Sequence, residues 1–126
     1  MNRMIFPNLP VADVARVREF WKSLGFTFND DFSDENAACL VINDQASVML
    51  LQSDYFHSFH KTQPATGTES LICLTATSRA EVDELCSKAA AAGATDTEER
   101  NEQGPMYGGS FRDLDGHIWE VLWMEM

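Results

Sequence analysis

The sequence predicts an α+β fold in which two βαβββ modules form a curved mixed sheet around a cleft. Three observations support this prediction: the order strand, helix and three strands occurs twice, each predicted helix ends at a glycine, and each half closes with a strand that follows a turn. The 126 residues are 44% hydrophobic, which is enough for one core. We expect a single domain, residues 1–126, with modules at about 1–52 and 69–126 joined by a linker at 53–68.

The first module begins with a strand at 4–11. Pro7 and Pro10 lack the N–H that a sheet ladder needs, so this strand is expected at an edge or near a strand end. A helix follows because Asp13 can cap it, apolar residues recur at helical spacing, and Gly25 ends the pattern. Three short strands then complete the module, at 26–28, 38–42 and 47–52.

The second module repeats this order after a polar stretch with one predicted helical turn at 55–60. A strand at 71–76 precedes a helix that Ser78 caps and Gly93 ends. The remaining strands are predicted at 95–98, 107–112 and 117–123. Identity between the halves is low, so the repeat depends on order and spacing.

The repeat is aligned by its landmarks. Leu9 is matched to Leu74, and the last strands are superposed so that Leu50 corresponds to Glu120.

Composition and charge exclude several classes of function. The formal net charge of −11 is opposite to what a nucleic-acid-binding surface needs, and it favours cationic ligands. No apolar run is long enough to cross a membrane. The cysteines Cys39, Cys73 and Cys86 lie in apolar patterns without CxxC pairing, as expected of buried thiols in a reducing compartment. We therefore expect a cytoplasmic protein that binds neither nucleic acid nor membrane.

Alternation along the last strand identifies Glu120 as the main candidate for chemistry. Trp119, Val121 and Trp123 share one face, which must be core, so Glu120 points to the cleft. Its neighbours on that face are apolar, and a desolvated carboxylate there is typical of a general base, a ligand contact or a metal ligand. The alternative is a carboxylate on an exposed sheet face.

Other candidate ligand contacts are the residues that strand alternation places on the face of Glu120, together with two residues of a glycine-rich segment. The first group consists of Phe6, Asn8, Leu50, Leu71 and Cys73. The second consists of Met106 and Tyr107, where residues 104–110 form either a pocket wall or a bulged entry to a strand.

The histidines are weaker candidates. Asp54, His57 and His60 have the spacing of one helix face and could hold a metal, but exposed histidines in a polar linker usually have no role. His117 alternates onto the core side, where a hydrogen-bonded structural imidazole is expected.

Two segments resemble the vicinal oxygen chelate superfamily of glyoxalases, bleomycin-resistance proteins, fosfomycin-resistance enzymes and extradiol dioxygenases. One is the ending at 111–121, FRDLDGHIWEV, and the other is the opening NLPVAD at 8–13 with the later FW and LGF at 20–21 and 24–26. The resemblance spans the whole chain and implies the glyoxalase/bleomycin-resistance/dioxygenase fold. It is strongest to small bacterial proteins named predicted lactoylglutathione lyases.

The resemblance also implies metal-ligand positions in the first and last strand of each half. By the family's spacing these fall on Phe6, Leu50, Leu71 and Glu120, and three of these side chains cannot bind a metal. We therefore expect no bound metal and no other cofactor.

Two functions stay open for a chain of this kind. One is a binding protein for a small cationic or aromatic ligand in an apolar cleft. The other is a diverged lyase, isomerase or dioxygenase-like enzyme that uses Glu120 as a base or as the remaining metal ligand. The resemblance further implies a homodimer.

Overall fold

The computed structural model describes residues 3–60, 62 and 67–125, and the chain forms two compact units, Met1–Pro64 and Ala65–Met126. Each unit contains a mixed sheet built on the order strand, helix, strands. The predicted α+β class and the repeated order of strand, helix and further strands are thus confirmed. Of the predicted linker at 53–68, residues 61 and 63–66 lie outside the described residues.

The first unit has a four-stranded sheet in the order β1-β4-β3-β2, with β1 parallel to β4 and the other neighbours antiparallel. The first strand is shorter than predicted, and Ile5 makes only an isolated bridge to Ala46. The elements are β1 Asn8–Val11, α1 Val14–Ser23, β2 Thr27–Phe28, β3 Ala37–Asn43, β4 Ala46–Gln52 and the short helix α2 Ser53–His57.

Helix α1 forms as its sequence predicts. The Asp13 carboxylate accepts a hydrogen bond of 3.2 Å from the backbone N–H of Arg16, which caps the helix. Gly25 adopts a φ of 95°, a conformation that an L side chain disfavours, and so ends it. The buried side chains of α1 recur at helical spacing: Val14, Val17, Phe20 and Trp21.

The second unit has the strand order β5-β9-β8-β6, with β5 parallel to β9 and a further strand, β7, paired to β8. Strand β7 was not predicted from the sequence. The elements are β5 Leu71–Thr75, α3 Arg79–Ala91, β6 Thr95–Asp96, β7 Asn101–Gln103, β8 Met106–Arg112 and β9 Ile118–Met124.

Helix α3 covers one face of the second sheet. The Ser78 hydroxyl accepts a hydrogen bond of 3.0 Å from the backbone N–H of Glu81 and caps the helix. The helix buries Val82, Cys86 and Ala89. Among the described residues, no helix is long and apolar enough to cross a membrane.

The strand registers correct the predicted repeat alignment by one residue. Leu9 of β1 pairs with Leu50 of β4, and its counterpart Leu74 of β5 pairs with Val121 of β9. Leu50 therefore corresponds to Val121, not to Glu120.

This shift moves Leu50 to the opposite face of its sheet from the one predicted. The counterpart of Glu120 is Met49, whereas Leu50 is 0% exposed and Val48 is also buried. Gln52 alternates with these two residues and accepts a hydrogen bond of 2.7 Å from the first N–H of α1, so their face carries the helix. Leu50 therefore lies in the core and not on the face predicted for it, because a slip of one residue exchanges the two faces of a strand.

Candidate functional site

The second unit contains a pocket of about 630 Å³ on the face of its sheet that α3 does not cover. Glu120 of β9 lies on the floor of this pocket, between Cys73 of β5 and Ser110 of β8. The side chains behind it, Trp119 and Val121, are 0% exposed. The indole face predicted to be core is therefore core, and the carboxylate points to the open side.

Cys73 is exposed, which corrects its predicted burial. Cys39 and Cys86 are buried as expected. Alternation in β5 places Leu74 in the core and Cys73 on the open face beside Glu120. Partial desolvation of the thiol and the nearby Glu120 charge raise the pKa of Cys73, so the thiol stays protonated at neutral pH.

Strand β7 forms one side of the pocket. It pairs antiparallel with β8, and this register sets Asn101 opposite Gly108 and Gln103 opposite Met106. All four residues line the pocket. We call the Asn101–Gln103 strand the β7 wall. The sequence shows no alternation there that would have identified a strand.

The residue before the β7 wall, Arg100, is held by two carboxylates. Its Nε donates to Asp83 of α3 at 2.6 Å, and its two terminal nitrogens donate to Asp96 of β6 at 3.3 Å each. These bonds raise the pKa of Arg100, and the bond from Arg100 lowers the pKa of Asp83. We call these three side chains the Arg100 clamp. Sequence reasoning missed it because its members come from three separate segments of the chain: α3, β6 and the residue before β7.

Gly109 of β8 leaves the space that the clamp occupies. A Cβ at this position would lie 3.1 Å from the Arg100 guanidinium and 3.2 Å from the Cys86 sulfur. The absence of a side chain at Gly109 therefore lets Arg100 and Cys86 pack closely against β8 on the helix side. Gly108 lines the pocket on the other side, where the absence of a side chain leaves space for a ligand.

The structure brings three of the predicted site residues into one pocket: Cys73, Met106 and Glu120. Leu71 is exposed on the same strand as Cys73 but lies outside the described lining of the pocket. Their contacts with a ligand stay predictions.

Tyr107 lies on the face of β8 that α3 covers. Its hydroxyl donates a hydrogen bond of 2.8 Å to Asp83, and the Arg79 guanidinium lies 5.2 Å from the centre of its ring. Because Met106 and Tyr107 are consecutive in a strand, only one of them can face the pocket.

Two further candidates belong to the first unit. Phe6 is 40% exposed and precedes β1, and the Asn8 side chain donates a hydrogen bond of 2.7 Å to the Phe6 carbonyl. Their predicted contacts with a ligand are untested.

The residues around Glu120 do not fit a divalent metal. Its neighbours on the adjacent strands offer a protonated thiol and a hydroxyl, and zinc, nickel or iron sites need at least three good donors. His57 and His60 approach to 3.3 Å between ring nitrogens. Among the described residues, no group of three or more His, Cys, Asp or Glu side chains is placed to hold a metal ion.

Asp113 is a buried carboxylate that sequence reasoning did not single out. It accepts hydrogen bonds from the Trp119 indole at 2.9 Å and from the backbone N–H of His117 at 3.0 Å. Burial raises the pKa of Asp113, and the hydrogen bonds lower it by a smaller amount. Asp113 therefore joins the turn before β9 to the core indole, which is a structural role.

Comparisons with known proteins identify a matching domain family for part of the chain and the fold of the whole chain. The model of the bleomycin resistance protein-like N-terminal domain matches residues 3–43. No curated protein matches the sequence. Among solved structures, a hypothetical protein from S. aureus is 30% identical, with a TM-score of 0.83 over 98% of this chain and 94% of that one.

Two more distant structures share the fold. A glyoxalase/bleomycin resistance protein/dioxygenase family enzyme from Burkholderia phytofirmans is 17% identical, with a TM-score of 0.80 over 95% of this chain and 97% of that one. A lactoylglutathione lyase from Agrobacterium tumefaciens is also 17% identical, with a TM-score of 0.71 over 98% of this chain and 94% of that one. The chain therefore has the fold of the glyoxalase/bleomycin resistance protein/dioxygenase structures, and its residues 3–43 are similar to the bleomycin resistance protein-like N-terminal domain.

Proposed function

We propose that the pocket of the second unit binds a small organic cation without a resident metal, with Glu120 as its anionic contact. The observation that carries this proposal is the charge of the lining. Glu120 and Glu99 line the pocket, while the cationic group of Arg100 is engaged by Asp83 and Asp96 in the Arg100 clamp. A cavity with uncompensated negative charge favours a positive ligand.

The rest of the lining supports binding of an organic molecule. Met106 and Leu122 offer apolar contact, and a methionine side chain adapts to ligands of different shape. The cavity of about 630 Å³ lies in the range of small-molecule sites. The lining is mixed rather than apolar as predicted, because the β7 wall brings polar side chains that the sequence pattern did not place there.

Benzamidine and benzamide test the proposal, since they have almost the same shape and differ in charge. We expect calorimetry to give a dissociation constant about 10- to 100-fold lower for benzamidine, the range for one hydrogen bond to a charged group. Glu120→Gln should remove this preference. Glu19→Gln removes an exposed carboxylate of α1 in the first unit and should leave the preference intact. Equal binding of the two compounds, or a preference that survives Glu120→Gln, would overturn the proposal.

Elemental analysis of the purified protein tests the metal-free part separately. We expect no stoichiometric divalent metal, because the donors around Glu120 are too few. About one tightly held metal per chain that is lost in Glu120→Gln would show that Glu120 is a metal ligand after all.

A second candidate function is catalysis with Glu120 as a general base. The observation in its favour is that the carboxylate faces a cavity large enough for a substrate. Incubation of each bound compound, followed by mass spectrometry, separates the two functions. A product that forms with the native protein and not with Glu120→Gln supports catalysis, whereas unchanged ligand supports sequestration.

We also propose that the protein acts as a cytoplasmic homodimer. Strands β1 and β5 stand at the ends of the strand orders of their sheets, and a sheet edge is usually covered by further structure. Light scattering after size-exclusion chromatography measures the mass in solution, and a monomer at micromolar concentration would contradict the dimer.

A further inference from the structure

The β7 wall has two chemically different sides. Glu102 alternates onto the side opposite Asn101 and Gln103 and forms an ion pair with Arg79 of α3, and the adjoining Arg100 is held by the Arg100 clamp. The Arg79 guanidinium also lies 5.1 Å from the ring centre of Trp123. The backbone of this short strand is thus held from behind.

The other two residues of the β7 wall, Asn101 and Gln103, present carboxamides to the pocket. Their strand partners Gly108 and Met106 belong to the open face of β8, on which Ser110 is the partner of Glu120. Cross-strand partners share a face, so the two carboxamides and the Glu120 carboxylate lie on the same side of the sheet. Both residues are exposed, so their carboxamides are accessible to a ligand in the pocket.

We infer that Asn101 and Gln103 select the ligand by hydrogen bonding, so that the pocket takes cations that also carry an amide or a similar polar group. This inference rests on the proposed cation binding at Glu120 and goes further by naming the second recognition element. An amide group both donates and accepts, and it therefore matches the carboxamides of asparagine and glutamine. A wall that is already ordered loses little conformational freedom when it binds a ligand.

A matched pair of probes tests the inference. The 1-methylpyridinium ion and the 1-methylnicotinamide ion carry the same charge on the same ring and differ only by a carboxamide. We expect the second ion to bind about 10-fold more tightly, the effect of one to two net hydrogen bonds. Calorimetry or ligand-observed NMR can measure both dissociation constants.

Isosteric variants assign this difference to the wall. Asn101→Leu and Gln103→Met keep the side-chain shape, and each should reduce the 10-fold ratio while 1-methylpyridinium binds as before. Gln45→Met, at an exposed turn of the first unit, is the matched control and should keep the ratio. Thermal unfolding of each variant checks that it folds.

The outcomes distinguish the inference from the proposed function. Equal binding of the two ions, or a ratio that both wall variants retain, overturns the inference and leaves cation binding in place. If neither ion binds, or if Glu120→Gln leaves both affinities unchanged, the proposed function fails and the inference fails with it. A ratio that falls in the wall variants, with binding of both ions lost in Glu120→Gln, supports both.

Discussion

The substitution Gly109→Ala tests how tightly the Arg100 clamp is packed against the second sheet. The added methyl group would lie 3.1 Å from the Arg100 guanidinium, 3.3 Å from its Cδ and 3.2 Å from the Cys86 sulfur. Carbon atoms normally approach such neighbours no closer than about 3.5 Å. Relief would need a movement of a few tenths of an ångström by one of the two side chains.

Neither neighbour can move freely. Arg100 is held by hydrogen bonds to Asp83 and Asp96, and Cys86 is 0% exposed in the core beneath α3. Overpacking of this kind costs about 1–3 kcal/mol. Alanine also raises the free energy of unfolding by about 0.4–1 kcal/mol, because it restricts the unfolded chain. This gain applies here because Gly109 does not adopt a positive φ, so alanine fits the backbone. We expect the free energy of unfolding to fall by about 1.3 kcal/mol, the difference between the midpoints of these two ranges.

Urea unfolding followed by tryptophan fluorescence measures this change. Gly108→Ala is the matched control, because its Cβ would lie 3.4 Å from its nearest neighbours and needs no movement, so stability should stay within about 0.5 kcal/mol or rise slightly. Removing the sulfur should relieve the strain, so that Cys86→Ala and Gly109→Ala together cost less than their sum. A Gly109→Ala protein as stable as the native one would refute the packing argument.

Three further predictions concern titratable groups. Asp113→Asn should lower the free energy of unfolding by about 1–3 kcal/mol, because an amide nitrogen replaces one acceptor of a buried, fully bonded carboxylate; urea unfolding measures it. N-ethylmaleimide should label Cys73 alone in the native protein, and faster in Glu120→Gln, where the charge that raises its thiol pKa is gone. The hydrogen bond from Arg100 lowers the pKa of Asp83, so the stabilisation that this ion pair provides is present at neutral pH and should be lost as pH falls below about 4. Acid unfolding of the native protein should show this loss, and acid unfolding of Arg100→Met should not.

Each of these has a result that would count against it. Native stability in Asp113→Asn would mean that the Trp119 indole finds another acceptor. Labelling of Cys39 or Cys86 at the rate of Cys73 would contradict their burial. An equal labelling rate of Cys73 in the native protein and in Glu120→Gln would show that the Glu120 charge does not affect the thiol. If the native protein and Arg100→Met unfold over the same range of acidic pH, other carboxylates control the acid unfolding.

Local sequence signals predicted most of the backbone architecture. Capping by Asp13 and Ser78 and termination at Gly25 are decided by residues within one turn of each helix end, so they can be read without tertiary information. The same holds for the face of Glu120, because alternation in β9 depends only on neighbouring residues.

The tertiary structure decided what local signals could not. The repeat alignment failed by one position because strand register is set by pairing between distant segments, and that slip moved Leu50 from the predicted cleft to the core. Cys73 was expected to be buried because its segment is apolar, but it lies on the face of β5 that α3 leaves uncovered and is exposed.

The β7 wall shows most clearly the difference between what local sequence signals predict and what tertiary contacts decide. The residues Asn101–Gln103 have no strand-like pattern of their own, and they form a strand because β8 provides the hydrogen-bond partners and the Arg100 clamp holds the adjoining chain against α3. The sequence alone determined two βαβββ modules and a carboxylate at position 120 facing out of the core. Which groups surround that carboxylate depends on contacts between residues far apart in the chain, and only the folded structure brings them together.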